Sequence, residues 1–331
     1  MPRVSIVVPC YNEQATIGLL LEAIYQQTYC REDLEVIIAD GLSTDFTRKM
    51  IANFQSDHPD LSIIIVDNRK RTIPTGLNLA IKAASGEYIV RLDAHSVPDS
   101  QYIARCVEDL EVGKGDSVGG VWEIKPQGNS WIAKSIAIAA SHPLGVGDAK
   151  YRLGGPAQVV DTVPFGAFKR SLIQKIGNYN EKLLTNEDYE FNVRIRQSGG
   201  KIWMDPQIQS QYYARPTLSA LARQYGRYGY WKAKMLRENP GTLRWRQLLP
   251  PLLVVSLFIL TISSVAFPSI RPWLILEISL YGFALLLAGI QTGISKRFLP
   301  FILGVPLAIG TMHLAWGSAF VWGLPGKLTE R

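Results

Sequence analysis

Three long apolar runs near the end of the chain place the strongest constraint on how it can fold. They cover Leu248–Phe267, Trp273–Ile294 and Phe298–Trp322. Each run reaches the roughly 20 residues that an α-helix needs to cross a bilayer. A water-soluble helical domain would carry many charges over such a length, yet the acidic residues from Leu248 onward are only Glu277 and Glu330. We therefore predict three transmembrane helices within residues 248–331.

The charges beside these runs predict their orientation. The stretch Arg215–Arg246 contains eight Lys or Arg residues against one acid, Glu238. Positive charge marks the cytoplasmic side of a span, and Lys296 and Arg297 in the second connection outnumber Arg271 in the first. We expect a multi-pass protein of the inner, cytoplasmic membrane whose N-terminal domain lies in the cytosol and whose C-terminus lies outside.

The first residues and the net charge agree with that placement. Arg3 is followed at once by a strand-like Val-Ser-Ile-Val-Val and not by a targeting segment. The net charge of +7 comes largely from the basic stretch, so it favours anionic membrane lipids as partners and not nucleic acid. Cys10, Cys30 and Cys106 have no metal-type spacing and are expected to be reduced thiols.

Upstream of the basic stretch, apolar strands alternate with helical patterns. The predicted strands are Val4–Val8, Glu35–Ala39, Ser62–Val66 and Tyr88–Leu92, and the predicted helices are Thr16–Gln27, Thr44–Phe54, Thr75–Ala84 and Asp99–Glu111. This order is typical of an α/β domain with a parallel sheet covered on both faces. Neither a Gly-x-Gly-x-x-Gly motif nor a P-loop follows the first strand, which disfavours both of those nucleotide sites.

Polar residues follow the predicted strands at the edge where ligands of α/β sheets bind. The last of these strands runs into Asp93 and His95, which are candidate ligands of a divalent cation. Asp40 could accept the ring N–H of a pyrimidine, while Asn12 and Glu13 could meet base or ribose hydroxyls. The alternative is that these residues cap turns and helices, with His95 at the surface.

The order of these motifs resembles that of the family-two glycosyltransferases with the GT-A fold, over about two-thirds of the chain. The matching stretches are Val-Pro-Cys-Tyr-Asn-Glu, Asp-Gly-Leu-Ser-Thr-Asp, Gly-Leu-Asn-Leu-Ala, Ala-Ser-Gly-Glu-Tyr-Ile and Leu-Asp-Ala-His. The resemblance implies transfer of a sugar from a nucleotide sugar, usually UDP-linked, with inversion at the anomeric carbon. It implies that the nucleotide sugar is held by Pro9, Tyr11, Asn12, Glu13, Asp40, Asn78 and Asp93.

The usual family pattern at the metal site is Asp-x-Asp, whereas this chain has Asp93-Ala94-His95. That variant resembles the membrane-anchored subgroup that assembles exopolysaccharide of the succinoglycan type and lipid-linked oligosaccharide. The expected cofactor is Mn²⁺ or Mg²⁺, and an imidazole ligand favours Mn²⁺ because Mg²⁺ prefers oxygen.

The region after the nucleotide motifs is expected to serve the acceptor. Residues 119–164 are rich in Gly and Pro and are expected to carry acceptor-facing loops. The following turn, with Phe165, Gly166 and Ala167, resembles the family's turn beside the acceptor. Glu187 and Asp188 match the family's Glu-Asp pair, so the resemblance implies Asp188 as general base and Glu187 as a supporting or acceptor-binding residue. An acidic pair that caps a helix is the alternative.

The stretch Thr217–Arg237 has apolar residues at helical spacing and is expected to lie at the membrane surface as a basic amphipathic helix. Its Gln224-Tyr-Gly-Arg227-Tyr228 resembles the Gln-x-x-Arg-Trp of membrane polysaccharide synthases, with Tyr in place of Trp. The resemblance implies that Gln224 and Arg227 serve the diphosphate. Tyr228 or Trp231 could stack on an acceptor sugar. The helix could both anchor the domain at the membrane and contribute to the active site.

These expectations combine into one organisation and function. Residues 1–214 form the catalytic domain, 215–247 the interfacial helix and linker, and 248–331 the transmembrane region. We expect a membrane-anchored, metal-dependent, inverting hexosyltransferase acting on a lipid-linked or glycan acceptor. A non-catalytic scaffold that binds nucleotide sugars and a processive polysaccharide synthase stay open as alternatives. A nucleotidyltransferase is disfavoured because no Gly-rich basic loop follows the first strand.

Overall fold

The computed structural model describes residues 2–325, and these form two compact units. The first unit comprises the residues up to Glu123 together with Gly154–Tyr212. The second comprises Ile124–Leu153 and the residues from Tyr213 onward. The sequence placed all of 1–214 in one domain, and the structure differs because the helices of residues 124–153 pack on the last apolar helix. The C-terminus expected outside the membrane falls in residues 326–331, which are not among the described residues.

Nine strands of the described residues form one mixed sheet. They are β1 Val4–Cys10, β2 Leu34–Asp40, β3 Ser62–Asp67, β4 Tyr88–Arg91, β5 Val97–Pro98, β6 Ser117–Pro126, β7 Gln158–Val159, β8 Ala167–Lys169 and β9 Ile202–Ala214. Their order is β3-β2-β1-β4-β8-β6-β9-β5, and β7 pairs with β9. The first four run parallel, as predicted, and β8 joins β4 in the antiparallel direction.

The central strands are buried on both faces because alternate side chains enter two different cores. In β1, Ile6 and Val8 enter the core that contains Leu20, whereas Val7 enters the core that contains Leu77. Side chains on a strand alternate between the two faces of its sheet. A near-continuous apolar run therefore indicates a strand with helices on both sides, and its carboxyl end is the position left open to a ligand.

The described residues contain thirteen helices. They are α1 Ile17–Tyr25, α2 Thr47–Asp57, α3 Ile73–Ala83, α4 Tyr102–Glu111, α5 Trp131–Ala139, α6 Pro143–Val146, α7 Lys150–Leu153, α8 Ser171–Ile176, α9 Glu187–Gln197, α10 Leu218–Glu238, α11 Trp245–Ala266, α12 Arg271–Ser295 and α13 Phe301–Gly323. The first four correspond to predicted helices, with ends shifted by up to three residues. Residues 119–164, which were expected to carry acceptor-facing loops, also contain most of β6, together with β7 and three short helices.

Three helices of the second unit are long and apolar enough to cross a membrane, which confirms the three predicted spans. They are Trp245–Ala266, Pro268–Ser295 and Phe301–Gly323. Polar side chains within them are paired: Ser256 donates to Glu277, and His313 contacts the Tyr281 hydroxyl and the Leu144 carbonyl. The contact with Leu144 joins α13 to α6, so residues 124–153 belong with this unit.

Helix α10 packs closely along α13 within the second unit. A Cβ atom at Gly229 would clash with the Trp316 carbonyl, and one at Gly323 would contact the side chain of Ala233. The absence of a side chain at these positions lets the two backbones approach each other. The predicted amphipathic helix is therefore anchored on the last apolar helix.

Candidate active site

The loop after β1 is held against the loop after β2 by Asn12. This residue has a positive φ of 53°. Its backbone N–H donates to Ser43 Oγ at 2.8 Å, and its Oδ1 accepts from the Thr44 N–H at 2.9 Å. The Glu13 N–H donates to Thr47 Oγ1 at 2.8 Å. These bonds are those of a turn residue, so the amide of Asn12 shapes the two strand-end loops.

Asp40 is fully buried and its carboxylate is occupied by protein donors. Its Oδ1 accepts from Ser43 Oγ at 2.5 Å, and its Oδ2 accepts from the Ser43 N–H at 3.0 Å and from Arg48 Nε at 2.5 Å. Arg48 also pairs with Asp67 at 2.5 Å. A pyrimidine N–H would compete with these donors, so the structure gives Asp40 the role of ordering the loop.

Tyr11 offers an exposed aromatic face at the same edge of the sheet. Its side chain is 41% exposed and lies against the backbone of Gly41, where a Cβ atom would be 2.9 Å from the ring. The Arg71 guanidinium lies 5.4 Å from the ring centroid. Pro9, by contrast, is buried within β1 beside Ala39. Of these residues, Tyr11 has the surface on which a base could stack.

Asp93 and His95 follow β4, and Glu13 from the β1 loop meets them there. His95 Nδ1 lies 3.3 Å from Glu13 Oε1. Burial raises the pKa of the Glu13 carboxyl, but hydrogen bonds from His95 and Thr16 outweigh it and hold this pKa below its usual value. The structure thus brings together the ends of β1 and β4, as the sequence predicted.

The chemistry of these side chains fits a divalent cation shared with a diphosphate. No group of three or more His, Cys, Asp or Glu residues suited to a metal occurs among residues 2–325. The Asp93 side chain is 20% exposed, and its Oδ2 accepts no hydrogen bond from the described residues. Mg²⁺ is commonly held by one or two protein ligands together with substrate phosphates. A histidine whose Nδ1–H donates to a carboxylate ligates through Nε2.

Arg91 connects Asp93 to the acidic pair at the start of α9. Its guanidinium is 5% exposed, and Nη2 donates to Asp93 Oδ1 at 3.1 Å and to Glu187 Oε1 at 2.9 Å. Nη1 is buried and meets no hydrogen-bond acceptor among residues 2–325. The sequence prediction missed Arg91, although a single charge inside Tyr-Ile-Val-Arg-Leu is the signal that could have identified it.

Glu187 and Asp188 have different environments although they are neighbours. Glu187 is buried, and burial together with the nearby Asp188 raises its pKa to about 7 against the opposing effect of Arg91. Asp188 is half-buried, and its Oδ1 accepts from the Tyr189 N–H at 2.7 Å. Asn186, with a φ of 66°, turns the chain into the helix. Glu187 therefore suits the supporting role, and Asp188 remains open to an acceptor.

Asn78 ties α3 to the loop that precedes α9. Its Nδ2 donates to the Tyr179 carbonyl at 2.9 Å and to Glu181 Oε1 at 3.1 Å, and its Oδ1 accepts from the Tyr179 N–H. Glu181 also accepts from Lys70 at 2.9 Å and Thr75 at 2.8 Å. The predicted nucleotide contact at Asn78 would have to replace these bonds, so the structure places Asn78 in a loop clamp.

The turn at Phe165, Gly166 and Ala167 belongs to the core of the first unit. Phe165 has a φ of 49°, and its carbonyl accepts from the Tyr102 hydroxyl at 3.0 Å. The side chains of Phe165 and Ala167 are buried. A Cβ atom at Gly166 would lie 2.8 Å from Ser117 Oγ. Because the side chains of Phe165 and Ala167 face the core, they are not available to an acceptor, and a contact of this turn with the acceptor stays a prediction.

The other predicted site residues lie on α10 in the second unit. Gln224, Arg227, Tyr228 and Trp231 follow the spacing i, i+3, i+4 and i+7, which places them on one face of the helix. Gln224 Nε2 donates to the Tyr228 hydroxyl at 2.9 Å, and Arg227 is exposed. Lys234 Nζ lies 4.6 Å from the ring of Trp231.

The strand-end loops and the acidic start of α9 lie in a chain whose sequence matches a family of sugar-transferring enzymes. Residues 5–177 match the model of glycosyl transferase family 2. The chain is 30% identical over 318 residues to the succinoglycan biosynthesis protein ExoA of Rhizobium meliloti (strain 1021), covering 95% of this chain and 93% of that protein. The chain therefore belongs to glycosyl transferase family 2 and is a glycosyltransferase.

A second relative matches over nearly the full length of both chains. It is the dolichyl N-acetyl-α-D-glucosaminyl phosphate 3-β-D-2,3-diacetamido-2,3-dideoxy-β-D-glucuronosyltransferase of Methanococcus voltae, which is 27% identical over 98% of each chain. Both relatives extend across the apolar helices as well as the sheet, so the similarity is not limited to the first unit.

Comparison with solved structures confirms the GT-A fold. The mannosyltransferase PcManGT from Pyrobaculum calidifontis, in complex with GDP-Man and Mn²⁺, has a TM-score of 0.64 at 21% identity, covering 97% of this chain and 87% of that chain. TarS of S. aureus, residues 1–349 in complex with UDP-GlcNAc, has a TM-score of 0.52 at 14% identity, covering 96% and 91%.

Proposed function

We propose that this glycosyltransferase is inverting and metal-dependent, and moves a sugar from a UDP-linked donor to a lipid-linked or membrane-associated glycan. The observation that carries the proposal is the convergence of Asp93 and Glu187 on Arg91. It brings the carboxylate at a strand end and the start of α9 to the same place. A donor diphosphate and an acceptor base require that proximity.

The chemistry assigned to the acceptor side needs one carboxylate. Asp188 takes the proton from the acceptor hydroxyl while that oxygen attacks the anomeric carbon opposite the leaving diphosphate. The bond to the diphosphate breaks as the new glycosidic bond forms, so the configuration inverts without an enzyme nucleophile. Glu187 supports Asp188 from the buried side.

Asp93 and His95 would hold Mn²⁺ or Mg²⁺ together with the diphosphate. When bound, such a cation supplies neutralisation of the negative charge that develops on the leaving group. Tyr11 provides the stacking surface for the base. On α10, Gln224 and Arg227 serve the diphosphate, and Tyr228 and Trp231 serve the acceptor sugar.

The relatives support a nucleotide sugar as donor and a lipid-linked acceptor, whereas the base of the nucleotide differs among them. TarS was solved with UDP-GlcNAc and PcManGT with GDP-Man and Mn²⁺, and the Methanococcus voltae enzyme is named for a dolichyl-linked phosphate acceptor. We place the protein in the inner, cytoplasmic membrane. The three apolar helices anchor it, and the unit that contains the sheet faces the cytosol as the catalytic domain.

The test uses the full chain in detergent with a panel of nucleotide sugars and Mn²⁺ or Mg²⁺. Asp188→Asn should still bind donor but lose turnover by roughly 10²–10⁴-fold, the usual contribution of a positioned base. Asp93→Ala should lose metal-dependent donor binding and transfer. Asp57→Asn changes an exposed carboxylate on α2 and serves as the matched control. Full turnover by Asp188→Asn, or full activity in excess chelator, would contradict the proposal.

A further inference from the structure

Arg91 is a charged residue placed inside a buried strand. Its neighbours Val90 and Leu92 are fully buried, and Arg91 itself is 5% exposed. A buried guanidinium is tolerated only when carboxylates and hydrogen bonds compensate for its lost hydration. Here the compensation comes from Asp93, two residues along the chain, and from Glu187, 96 residues away.

We propose that Arg91 is a positioning residue that holds Asp93 and the first turn of α9 at a fixed separation for the transfer reaction. This inference rests on the proposed function, in which Asp93 serves the donor and Asp188 the acceptor. Arg91 touches neither substrate in this role. It acts through the two carboxylates that its guanidinium joins.

The geometry of the guanidinium makes this role specific to arginine. Nε and Nη2 both donate to Asp93 Oδ1, at 3.2 and 3.1 Å, while Nη2 also reaches Glu187 Oε1. Nη1 makes no hydrogen bond among the described residues, so Asp93 and Glu187 are the hydrogen-bond acceptors of the group, and the buried Tyr179 hydroxyl lies near it. Lysine has the same charge, but its three N–H donors lie on one nitrogen at the end of a flexible chain, so it cannot reproduce a planar fork of separated donors.

Restraint of Glu187 also restrains Asp188. The two residues are the first of α9, and Asp188 is held to its own helix by the Tyr189 N–H. A rotation of the first turn would therefore move the Asp188 carboxylate away from the acceptor. A displacement of about 1 Å at a reacting group can lower the rate by on the order of 10²-fold.

The decisive variant is Arg91→Lys in the full chain, with Arg194→Lys as the matched control. Arg194 lies on α9, the helix that begins at Glu187, and its Nε donates to the buried Glu190 carboxylate at 2.8 Å. We expect Arg91→Lys to lower kcat by roughly 10–100-fold with the donor KM changed less than about threefold. Arg194→Lys should lower the melting temperature similarly but keep kcat within about twofold. Equal losses of kcat in the two variants would overturn the inference.

A readout without substrate separates positioning from catalysis. In the ligand-free protein, backbone amides at the start of α9 should exchange hydrogen at least about tenfold faster in Arg91→Lys than in the wild type, because the tether at Glu187 is lost. The same amides should be unchanged in Arg194→Lys. Unchanged exchange in Arg91→Lys would contradict the proposed tether.

A double substitution tests whether a loss of activity in Arg91→Lys results only from lower stability of the fold. Arg91→Met with Glu187→Met removes both charges, and replacement of a buried ion pair by apolar groups is often neutral or stabilising. We expect the melting temperature to recover while kcat stays at least about tenfold low. Recovery of kcat together with stability would show that Arg91 is only structural and overturn the inference.

Asp188→Asn distinguishes failure of this inference from failure of the proposed function. If Asp188→Asn loses turnover while Arg91→Lys behaves as Arg194→Lys does, only the role of Arg91 is overturned. If Asp188→Asn keeps full turnover, the assignment of the base fails, and the inference falls with it.

Discussion

At the scale of single residues, the contact between His95 and Glu13 determines how the proposed metal site would respond to substitution. His95→Asp restores the usual Asp-x-Asp of the family and replaces a nitrogen ligand with oxygen. Mg²⁺ prefers oxygen ligands, so the ratio of kcat/KM measured with Mg²⁺ to that with Mn²⁺ should rise while transfer is retained.

The same substitution places a second carboxylate beside Glu13 and Asp93. Without a cation these like charges repel each other, so the metal concentration needed for half-maximal activity should become a stronger function of ionic strength. Titration of activity with each metal measures both effects, and His58→Asp, at the residue that follows α2, is a control outside the site. An unchanged metal preference in His95→Asp would argue against His95 as a ligand.

The positions of Asp93 and His95 after a strand, and of Glu187 and Asp188 at a helix start, could be predicted from the sequence, whereas their roles stay predictions. A strand end or a helix start is visible as a change from apolar to polar residues. The partners of Asp40 and Asn78 could not be predicted in the same way. Ser43 meets Asp40 in a local turn, but Arg48 reaches Asp40 from α2 and Glu181 lies 103 residues from Asn78, and such contacts leave no periodic signal in the sequence. Arg91 was missed for a different reason, since its single charge inside an apolar run is a local signal that the prediction did not use.

At the scale of elements, the Glu181 clamp ties the β3–α3 connection to the loop before α9. Lys70 first, and then Asn78 and Thr75, lower the pKa of Glu181 to about 2. A carboxyl whose pKa is lower in the folded state stabilises the fold above its unfolded pKa, about 4.3, and loses that contribution as pH falls towards 2.

Glu181→Gln should therefore lower the melting temperature at pH 7, and the difference from the wild type should shrink as pH falls from about 4.5 towards 2. Melting followed in detergent across that range measures the change. Glu108→Gln is the matched control, because Glu108 is an exposed carboxylate on α4. A difference that is independent of pH would show that the clamp depends on shape and not on charge.

Elements were predictable where one physical requirement dominates a long stretch. The strands β1, β2 and β4 are buried runs, and α11, α12 and α13 have the length and composition of a span. Residues 119–164 lack such a requirement. Two of the helices there have only four residues, and the region is ordered by contact with α13, as at Leu144 and His313. The local sequence pattern of a segment does not indicate which other element the segment will pack against.

At the scale of the whole molecule, the basic stretch on α10 could serve the membrane, the reaction or both. Arg223 and Arg227 are one turn apart on this helix and both are exposed. They carry the same charge at nearly the same place, so attraction to anionic lipid should be similar, on the order of 1 kcal/mol for each. Only Arg227 occupies the position of the Gln-x-x-Arg motif that we propose serves the diphosphate.

Arg223→Ala and Arg227→Ala should therefore lose equal amounts of binding to anionic liposomes, measured by co-sedimentation. With a water-soluble acceptor analogue, which removes the need for the membrane, Arg227→Ala should lose more turnover than Arg223→Ala. A charge that stabilises the leaving diphosphate acts on the chemical step, whereas a surface charge acts only where lipid is present. Equal losses of turnover by the two variants with the soluble acceptor would leave α10 as a membrane anchor and contradict the role proposed for Arg227.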